Sequence, residues 1–252
     1  MNSSYPTQSD VPANAPPEPA VRWRLPTRTP YVTYFLIVSC VLVYAAQMIT
    51  QSTMGVDLPA AYGMKVNELI IAGQYWRLLT PMWLHGSITH IFFNMYALFV
   101  IGRGLEQQYG HLRYSILYLV SGFAGNVLSF LLTPAPSLGA STAIFGLVAA
   151  EGIFIYQNRK LFRNARSMLA NVAFIVVINL ALGLSGSIDN NGHLGGLLGG
   201  LMLAWFGGPL WKVTQILGGF ELVDQRDTNQ TLVVGAIVTL IFGGLALIKF
   251  LR

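Results

Sequence analysis

Charged residues are scarce in this 252-residue sequence, and cysteine is almost absent. Only 10% of the residues are Asp, Glu, Lys or Arg, whereas 54% are hydrophobic. A soluble domain usually has about a quarter of its residues charged, so long apolar runs with so few charges exclude an ordinary soluble protein. The single cysteine, Cys40, excludes an internal disulfide framework and a cysteine-rich zinc site. The composition therefore predicts an integral membrane protein.

Seven apolar runs are long enough to cross a bilayer as helices, which takes about 20 residues at 1.5 Å each. These predicted spans cover approximately residues 31–50, 89–105, 112–132, 141–157, 168–187, 193–210 and 231–250. The fold class is therefore all-α, a polytopic membrane helix bundle. We predict a disordered cytoplasmic tail over residues 1–30, a six-span core over 31–210, a cytoplasmic connection over 211–230 and a seventh span over 231–252.

The distribution of basic residues predicts how these spans are oriented. Eleven of the 15 Lys and Arg residues lie in the N-terminal tail and in the connections that follow spans 2, 4 and 6, and four lie on the opposite side. The positive-inside rule then makes the N-terminus cytoplasmic and the C-terminus external. Although the net charge is +5, no basic stripe with interleaved aromatic residues is present, so nucleic acid is excluded as a partner.

A serine and a histidine open two spans on the predicted outer side. Serine becomes a nucleophile when a base takes its proton, and histidine is the usual base. Alone, Ser141 is explained as a helix N-cap, and His193 as a structural histidine. Gly192, Gly196 and Gly200 recur every four residues, a pattern that lets helix backbones approach closely. We therefore expect spans 4 and 6 to bring Ser141 and His193 together.

Two further polar residues lie at the outer end of span 2. His90 and Asn94 are four residues apart, so they share one face of a helix. Side-chain donors that converge on a developing oxyanion are what acyl transfer requires. Polar contacts between helices are the simpler explanation for both residues. His85 is five residues before His90, so we expect it on another face, where it anchors a loop or holds water.

The sequence resembles the rhomboid family of intramembrane serine proteases from Trp76 to about Pro209. The resemblance rests on five ordered segments: Trp76-Arg77, His85 to Asn94, Gly102 to Glu106, Gly139 to Gly146, and Gly192 to Gly196. It implies a six-span rhomboid-like catalytic core with a seventh C-terminal span. It also implies a Ser-His dyad, and no metal or organic cofactor.

The resemblance implies a role for each matching residue. Ser141 would be the nucleophile and His193 the general base, while His90 and Asn94 would stabilise the oxyanion with the backbone N–H of Ser141. Phe145 matches an aromatic position whose ring packs under the base histidine. Thr142 stands where the family often has glycine.

The remaining polar residues in and beside the spans are interpreted as scaffold. Asp189 lies four residues before His193, and we interpret it as a helix-start residue instead of a third catalytic group. Glu106 and Glu151 are expected to be structural partners. Asn126 and Asn179 fit hydrogen bonding between helices.

We therefore predict an intramembrane serine endopeptidase in the bacterial plasma membrane. It would cleave transmembrane or juxtamembrane segments of single-span or polytopic membrane proteins near the outer face of the lipid bilayer. Substrates would enter between spans 2 and 5 or over a loop from above. The sequence contains neither the metal-binding motif of a metalloprotease nor the P-loop motif of a nucleotide-binding protein. The main alternative is a non-catalytic rhomboid-like protein that binds client transmembrane helices.

Overall fold

The structure is a computed structural model that describes residues 28–185, 188–216 and 219–251. The predicted tail over residues 1–30 therefore lies almost entirely outside the described residues. The described helices are α1 (Tyr31–Met54), α2 (Leu58–Gly63), α3 (Asn67–Ile71), α4 (Ile88–Ala97), α5 (Arg103–Tyr109), α6 (His111–Leu132), α7 (Ser141–Gln157), α8 (Ala165–Leu182), α9 (Asn190–Gly207) and α10 (Thr228–Phe250). The all-α polytopic bundle predicted from the sequence is confirmed.

Five helical segments in the described part of the chain are long and apolar enough to cross a membrane. They are α1, the continuous segment Ile88–Tyr109, α6, α8 and α10. The continuous segment joins α4 to α5 through a π-helical turn at Leu98–Gly102. The other two predicted spans correspond to α7, which has only 17 residues, and α9, which begins with polar residues and glycines. These two helices carry Ser141 and His193.

The boundaries of α8 and α9 differ from the predicted spans. The fifth span was predicted to reach residue 187, but α8 ends at Leu182 and a short 3-10 turn follows over Gly183–Ser185. The sixth was predicted to begin at His193, whereas α9 begins at Asn190 because the Asp189 side chain accepts a hydrogen bond from the Gly192 N–H and caps the helix. His193 therefore lies in the first turn of α9.

The connection between α9 and α10 contains two β-strands that were not predicted. Strand β1 (Trp211–Ile216) pairs antiparallel with β2 (Gly219–Asp224). Arg113 Nη1 of α6 lies 2.6 Å from Asp224 Oδ2 and ties the strands to the bundle. Strand β1 is rich in aromatic and β-branched residues, which favour extended backbone.

Glycines on α9 let it pack between α6 and α7. A Cβ atom on Gly196 would lie 1.9 Å from the Thr142 carbonyl oxygen of α7, and one on Gly195 would lie 2.6 Å from the Ala124 carbonyl oxygen of α6. Contacts this short leave no room for a side chain. The predicted close approach of α7 and α9 is therefore present, and a second glycine stripe, which includes Gly195 and Gly199, faces α6.

The connection from α1 to α4 is an ordered scaffold built around one buried arginine. Arg77 is only 2% exposed, and its guanidinium donates to the carbonyl oxygens of Met64 and Ala61 and to the Gln74 side chain. These bonds join α2 and the residue that follows it to the 3-10 turn at Tyr75–Leu78. This loop packs against the end of the bundle at which α7 begins.

Three other polar scaffold residues, Glu106, Asn126 and Asn179, also have hydrogen-bond partners. The Glu106 carboxylate accepts hydrogen bonds from the backbone N–H groups of Val32 and Thr33 and so fixes α1 against α5. Asn126 donates to the Leu78 carbonyl in the first loop. Asn179 donates to the Ile175 carbonyl of its own helix, so the predicted interhelical bond for Asn179 is wrong. Asn179 is exposed, and its amide follows the i−4 geometry of α8.

Candidate active site

Ser141 and His193 are hydrogen bonded across two adjacent helices. Ser141 is the first residue of α7, His193 lies in the first turn of α9, and Oγ of Ser141 is 2.9 Å from Nε2 of His193. The close packing at Gly196 sets this distance, because that residue lies one helical turn beyond His193. An imidazole at hydrogen-bond distance from a hydroxyl can take its proton.

The ring of His193 is held by packing. Its plane stacks on the ring of Phe145 with 4.1 Å between centroids and 14° between planes. The histidine is 6% exposed, and within the described residues its Nδ1 atom has no hydrogen-bond partner. The ring orientation is therefore fixed by an aromatic face and by the bond to Ser141, without a carboxylate.

Asp189 is occupied by structural bonds at the start of α9. Its carboxylate accepts from Ser129 Oγ, from Thr133 Oγ1 at 2.8 Å and from the Gly192 N–H at 3.0 Å. Burial alone would raise the pKa of this carboxyl, but the hydrogen bonds lower the pKa below its usual value. Asp189 thus joins the end of α6 to the start of α9, as a helix-start residue does.

Ser141 follows a short loop, and the length of α7 predicts that this serine lies below the membrane surface. The 17 residues of α7 span about 26 Å at 1.5 Å each, less than a hydrocarbon core of about 30 Å. The loop is fixed to the first connection by backbone bonds between Lys65 and Ser137 and from the Gly139 N–H to Pro81. As the first helical residue, Ser141 has a backbone N–H with no intrahelical acceptor.

Gly139 keeps space open between His90 and Ser141. Its φ is +137°, a conformation that other residues rarely adopt. A Cβ atom here would lie 2.8 Å from Cε1 and Nε2 of His90 and 3.5 Å from Oγ of Ser141. The His90 ring and the Ser141 hydroxyl therefore border the same small space, and the glycine is required there.

Asn94 lies on the same cavity wall, but its amide points along its own helix. Asn94 Nδ2 donates to the His90 carbonyl oxygen at 2.9 Å, and His90 Nδ1 accepts from the Gly86 N–H at 3.4 Å. His90 and Asn94 thus border the cavity that contains Ser141, yet neither side chain is bonded to the serine.

His85 is a buried residue beside His90. Its ring is in edge-to-face contact with that of His90, with centroids 5.2 Å apart, so the expectation that the two histidines lie on different faces is wrong. The reason is that His85 precedes α4, where helical spacing does not apply. The residue is completely buried, and burial lowers its pKa to about 3. His85 is therefore neutral near pH 7.

A cavity of about 920 Å³ contains these groups and extends between α4 and α8. Ser141, His193, His90 and Asn94 line its polar end. Its remaining walls are mainly apolar and include Phe93 and Tyr96 of α4 and Ile175 and Val176 of α8, together with side chains of α7 and of the loop before Ser141. The arrangement is that of a long apolar cleft leading to a few convergent polar groups.

Sequence reasoning missed Lys65, which supports the loop before Ser141. Its side chain is fully buried, and Nζ donates to the carbonyl oxygens of Thr133 and Ala135 at 2.7 Å each. Burial lowers the pKa of Lys65 to about 8. The available signal was that Lys65 is one of only four basic residues on the predicted outer side.

Comparison with known proteins identifies related sequences. The model of the rhomboid domain matches residues 72–210. Rhomboid protease GluP of Bacillus subtilis (strain 168) is 41% identical over 176 residues, which cover 69% of this chain and 34% of that protein. RHOMBOID-like protein 2 of Arabidopsis thaliana is 44% identical over 133 residues, which cover 52% of this chain and 42% of that protein. RHOMBOID-like protein 9, chloroplastic, of the same plant is 35% identical over 180 residues, which cover 70% of this chain and 41% of that protein. The chain thus spans less than half the length of these relatives.

Proposed function

Because the chain belongs to the rhomboid family, we propose that it is an intramembrane serine endopeptidase that uses Ser141 as nucleophile and His193 as general base. The observation that carries the proposal is the 2.9 Å hydrogen bond between Oγ of Ser141 and Nε2 of His193. The name of the Bacillus relative, a rhomboid protease, supports the same reaction class.

The proposed reaction proceeds through an acyl-enzyme. Nε2 of His193 takes the proton as Oγ of Ser141 attacks the scissile carbonyl carbon. The protonated imidazole then gives that proton to the leaving amine, and the ester that remains on Ser141 is hydrolysed by water activated by the same nitrogen. Stacking on Phe145 holds the ring for both transfers.

The oxyanion would form in the space that Gly139 keeps open. The free backbone N–H of Ser141, the His90 ring and the Asn94 amide are the proposed donors. Asn94 must leave its bond to the His90 carbonyl oxygen for this role, and hydrogen bonds of this kind often tighten only when substrate binds.

A dyad, and not a triad, is proposed because of what surrounds Nδ1 of His193. Within the described residues that atom has no hydrogen-bond partner. Both oxygens of Asp189 are taken by Ser129, Thr133 and Gly192. The carboxylate would have to break these bonds before it could orient the base.

The proposed substrates are transmembrane or juxtamembrane segments of single-span or polytopic membrane proteins. The apolar walls of the cavity between α4 and α8 favour lateral entry of a lipid-embedded segment over entry from above. A helix must unwind locally before its carbonyl can be attacked, so small or helix-breaking residues are expected near the cleaved bond.

The proposed topology follows the basic residues. The tail over residues 1–30 and the connection over 211–230 would be cytoplasmic, the catalytic core would cover 31–210, and the seventh span over 231–252 would end outside. Cleavage would then occur near the outer face. A bacterial plasma membrane is the proposed location, and the plant relatives make an organelle the alternative.

Cleavage by purified protein in detergent tests the proposal. A panel of single-span fusion proteins with small residues near the outer end should yield two fragments with the wild type. Ser141→Ala and His193→Ala should each lose about 10⁴-fold or more in rate, whereas Ser115→Ala, near the far end of α6, should cleave normally. If Ser141→Ala cleaves as the wild type does, the proposed nucleophile is wrong. If the wild type binds a fusion protein and cuts none, the non-catalytic alternative is favoured.

A further inference from the structure

The outer end of α10 is fastened to the outer end of α6. Lys249 Nζ donates a hydrogen bond to the Phe130 carbonyl oxygen and lies 4.6 Å from the centroid of the Phe130 ring. The ring of Phe250 lies 5.6 Å from that of Phe130 and 5.7 Å from that of Tyr75 in the first loop. Two consecutive side chains of α10 thus hold both a core helix and the loop that packs on it.

The Phe130 carbonyl is a group that needs an external donor. It belongs to the last turn of α6, where helical carbonyls have no intrahelical partner. A cation at this end also interacts favourably with the helix dipole. Phe130 itself is fully buried, so bulk water does not reach this end of the helix, and the ammonium of Lys249 supplies the hydrogen bond instead. The contact therefore orders the last turn of α6.

The last turn of α6 also supports His193, the proposed base. Ser129, next to Phe130, and Thr133, just after the helix, both donate to the Asp189 carboxylate. Asp189 in turn caps α9 and accepts the His193 N–H on its carbonyl oxygen at 3.1 Å. A shift of the last turn of α6 would be passed through these bonds to the first turn of α9.

The last turn of α6 also supports Ser141, the proposed nucleophile. The loop over residues 133–140 runs from the end of α6 directly to Ser141. Lys65 Nζ holds its first part through the carbonyl oxygens of Thr133 and Ala135. The loop is thus fixed at its start by the end of α6, and both members of the pair depend on the same turn.

We infer that the seventh span positions the Ser141–His193 pair, with Lys249 and Phe250 as positioning residues that act through the last turn of α6. This inference rests on the proposed function. The two residues lie outside the segment 72–210 that matches the rhomboid domain, so the device belongs to this chain's additional helix. The rest of α10 is anchored separately, since Thr231 Oγ1 near its start donates to the Gly207 carbonyl oxygen.

Covalent labelling of the serine by a fluorophosphonate tests the inference on the full chain in detergent. Lys249→Met keeps the apolar stem but removes the donor, and it should slow labelling about fivefold or more by loosening the geometry of the pair. Lys249→Arg, which can still donate, should restore most of the rate. Leu247→Ala, at a 61% exposed position of the same helix, is the matched control and should label as the wild type does.

The unfolding midpoint, measured in parallel, separates positioning from general stability. Slower labelling by Lys249→Met and by Phe250→Ala, with rescue by Lys249→Arg and with the proteins still folded at the assay temperature, supports the inference. Wild-type labelling rates in both variants would overturn it, as would losses that arginine does not restore. Absence of labelling in the wild type would instead refute the proposed function, and the inference with it.

Discussion

Substitution of Gly196 by alanine should separate the two helices that carry the proposed dyad. The new Cβ atom would lie 1.9 Å from the Thr142 carbonyl oxygen, where real contacts are essentially never shorter than 3.0 Å. Backbone atoms form this contact, so a rotamer change cannot relieve it. α9 must therefore move away from α7 by about 1 Å or more, at a cost of about 1 to 3 kcal/mol in unfolding free energy.

The expected effect on the site follows from the position of Gly196. It is one turn, about 4.5 Å along the axis, from His193. A movement of this size would take Nε2 of His193 from 2.9 Å to beyond hydrogen-bond distance of the Ser141 hydroxyl. Since a misplacement of about 1 Å can reduce a rate by about 10²-fold, we expect fluorophosphonate labelling of Gly196→Ala to fall by about that factor.

Two other glycines provide the controls. A Cβ atom on Gly192 would lie 3.1 Å from the Thr142 Cγ2 atom, which is a milder overlap, so Gly192→Ala should lose about tenfold or less. Gly244 of α10 has no atom within 4 Å of its Cβ position, so Gly244→Ala should keep the full rate. If Gly196→Ala is folded and is labelled within about twofold of the wild type, close packing of α7 and α9 does not set the dyad geometry.

Three further substitutions test the surroundings of the pair. Asn94→Ala should reduce the cleavage rate by about 10² to 10³-fold while leaving the unfolding midpoint nearly unchanged; a rate within threefold of the wild type would remove Asn94 from the oxyanion site. Asp189→Ala should lower the unfolding free energy by about 1 to 3 kcal/mol through loss of the helix cap and of the bonds from Ser129 and Thr133, and should reduce the rate by less than about tenfold; a loss of rate equal to that of His193→Ala would favour a triad. Because burial lowers the pKa of Lys65 to about 8 from 10.5, the protonated side chain is disfavoured in the folded state, and the penalty is complete below pH 8. The wild type should therefore gain stability relative to Lys65→Met as the pH rises from 8 towards 10.5, and a constant or opposite difference in unfolding midpoint would contradict this assignment.

The sequence was sufficient to predict the membrane helices, because apolar runs have a length that the bilayer imposes. It was also sufficient to predict that Ser141 lies next to His193, since the glycine spacing on α9 permits close approach to a neighbouring helix. It did not reveal that the other glycine stripe faces α6. Glycine stripes on two sides of a helix indicate that two other helices pack closely against it. The spacing alone does not identify which helix faces each stripe.

Other features depended on contacts between segments that are distant in sequence. The start of α9 at Asn190 is set by the Asp189 cap, and the strands at residues 211–224 are held by an ion pair between Arg113 and Asp224. The contact of His85 with His90 comes from a loop, where helical periodicity has no meaning. Lys65 and Lys249 resembled ordinary loop or terminal charges, and only the folded chain shows that each binds carbonyl oxygens around the end of α6.

Mass mapping of the fluorophosphonate adduct tests the central claim most directly, namely that His193 activates Ser141. The wild-type protein should carry a single adduct on the peptide that contains Ser141, and His193→Ala should carry almost none although it remains folded. An adduct on a different serine, or labelling of Ser141 at the wild-type rate without the histidine, would contradict the account.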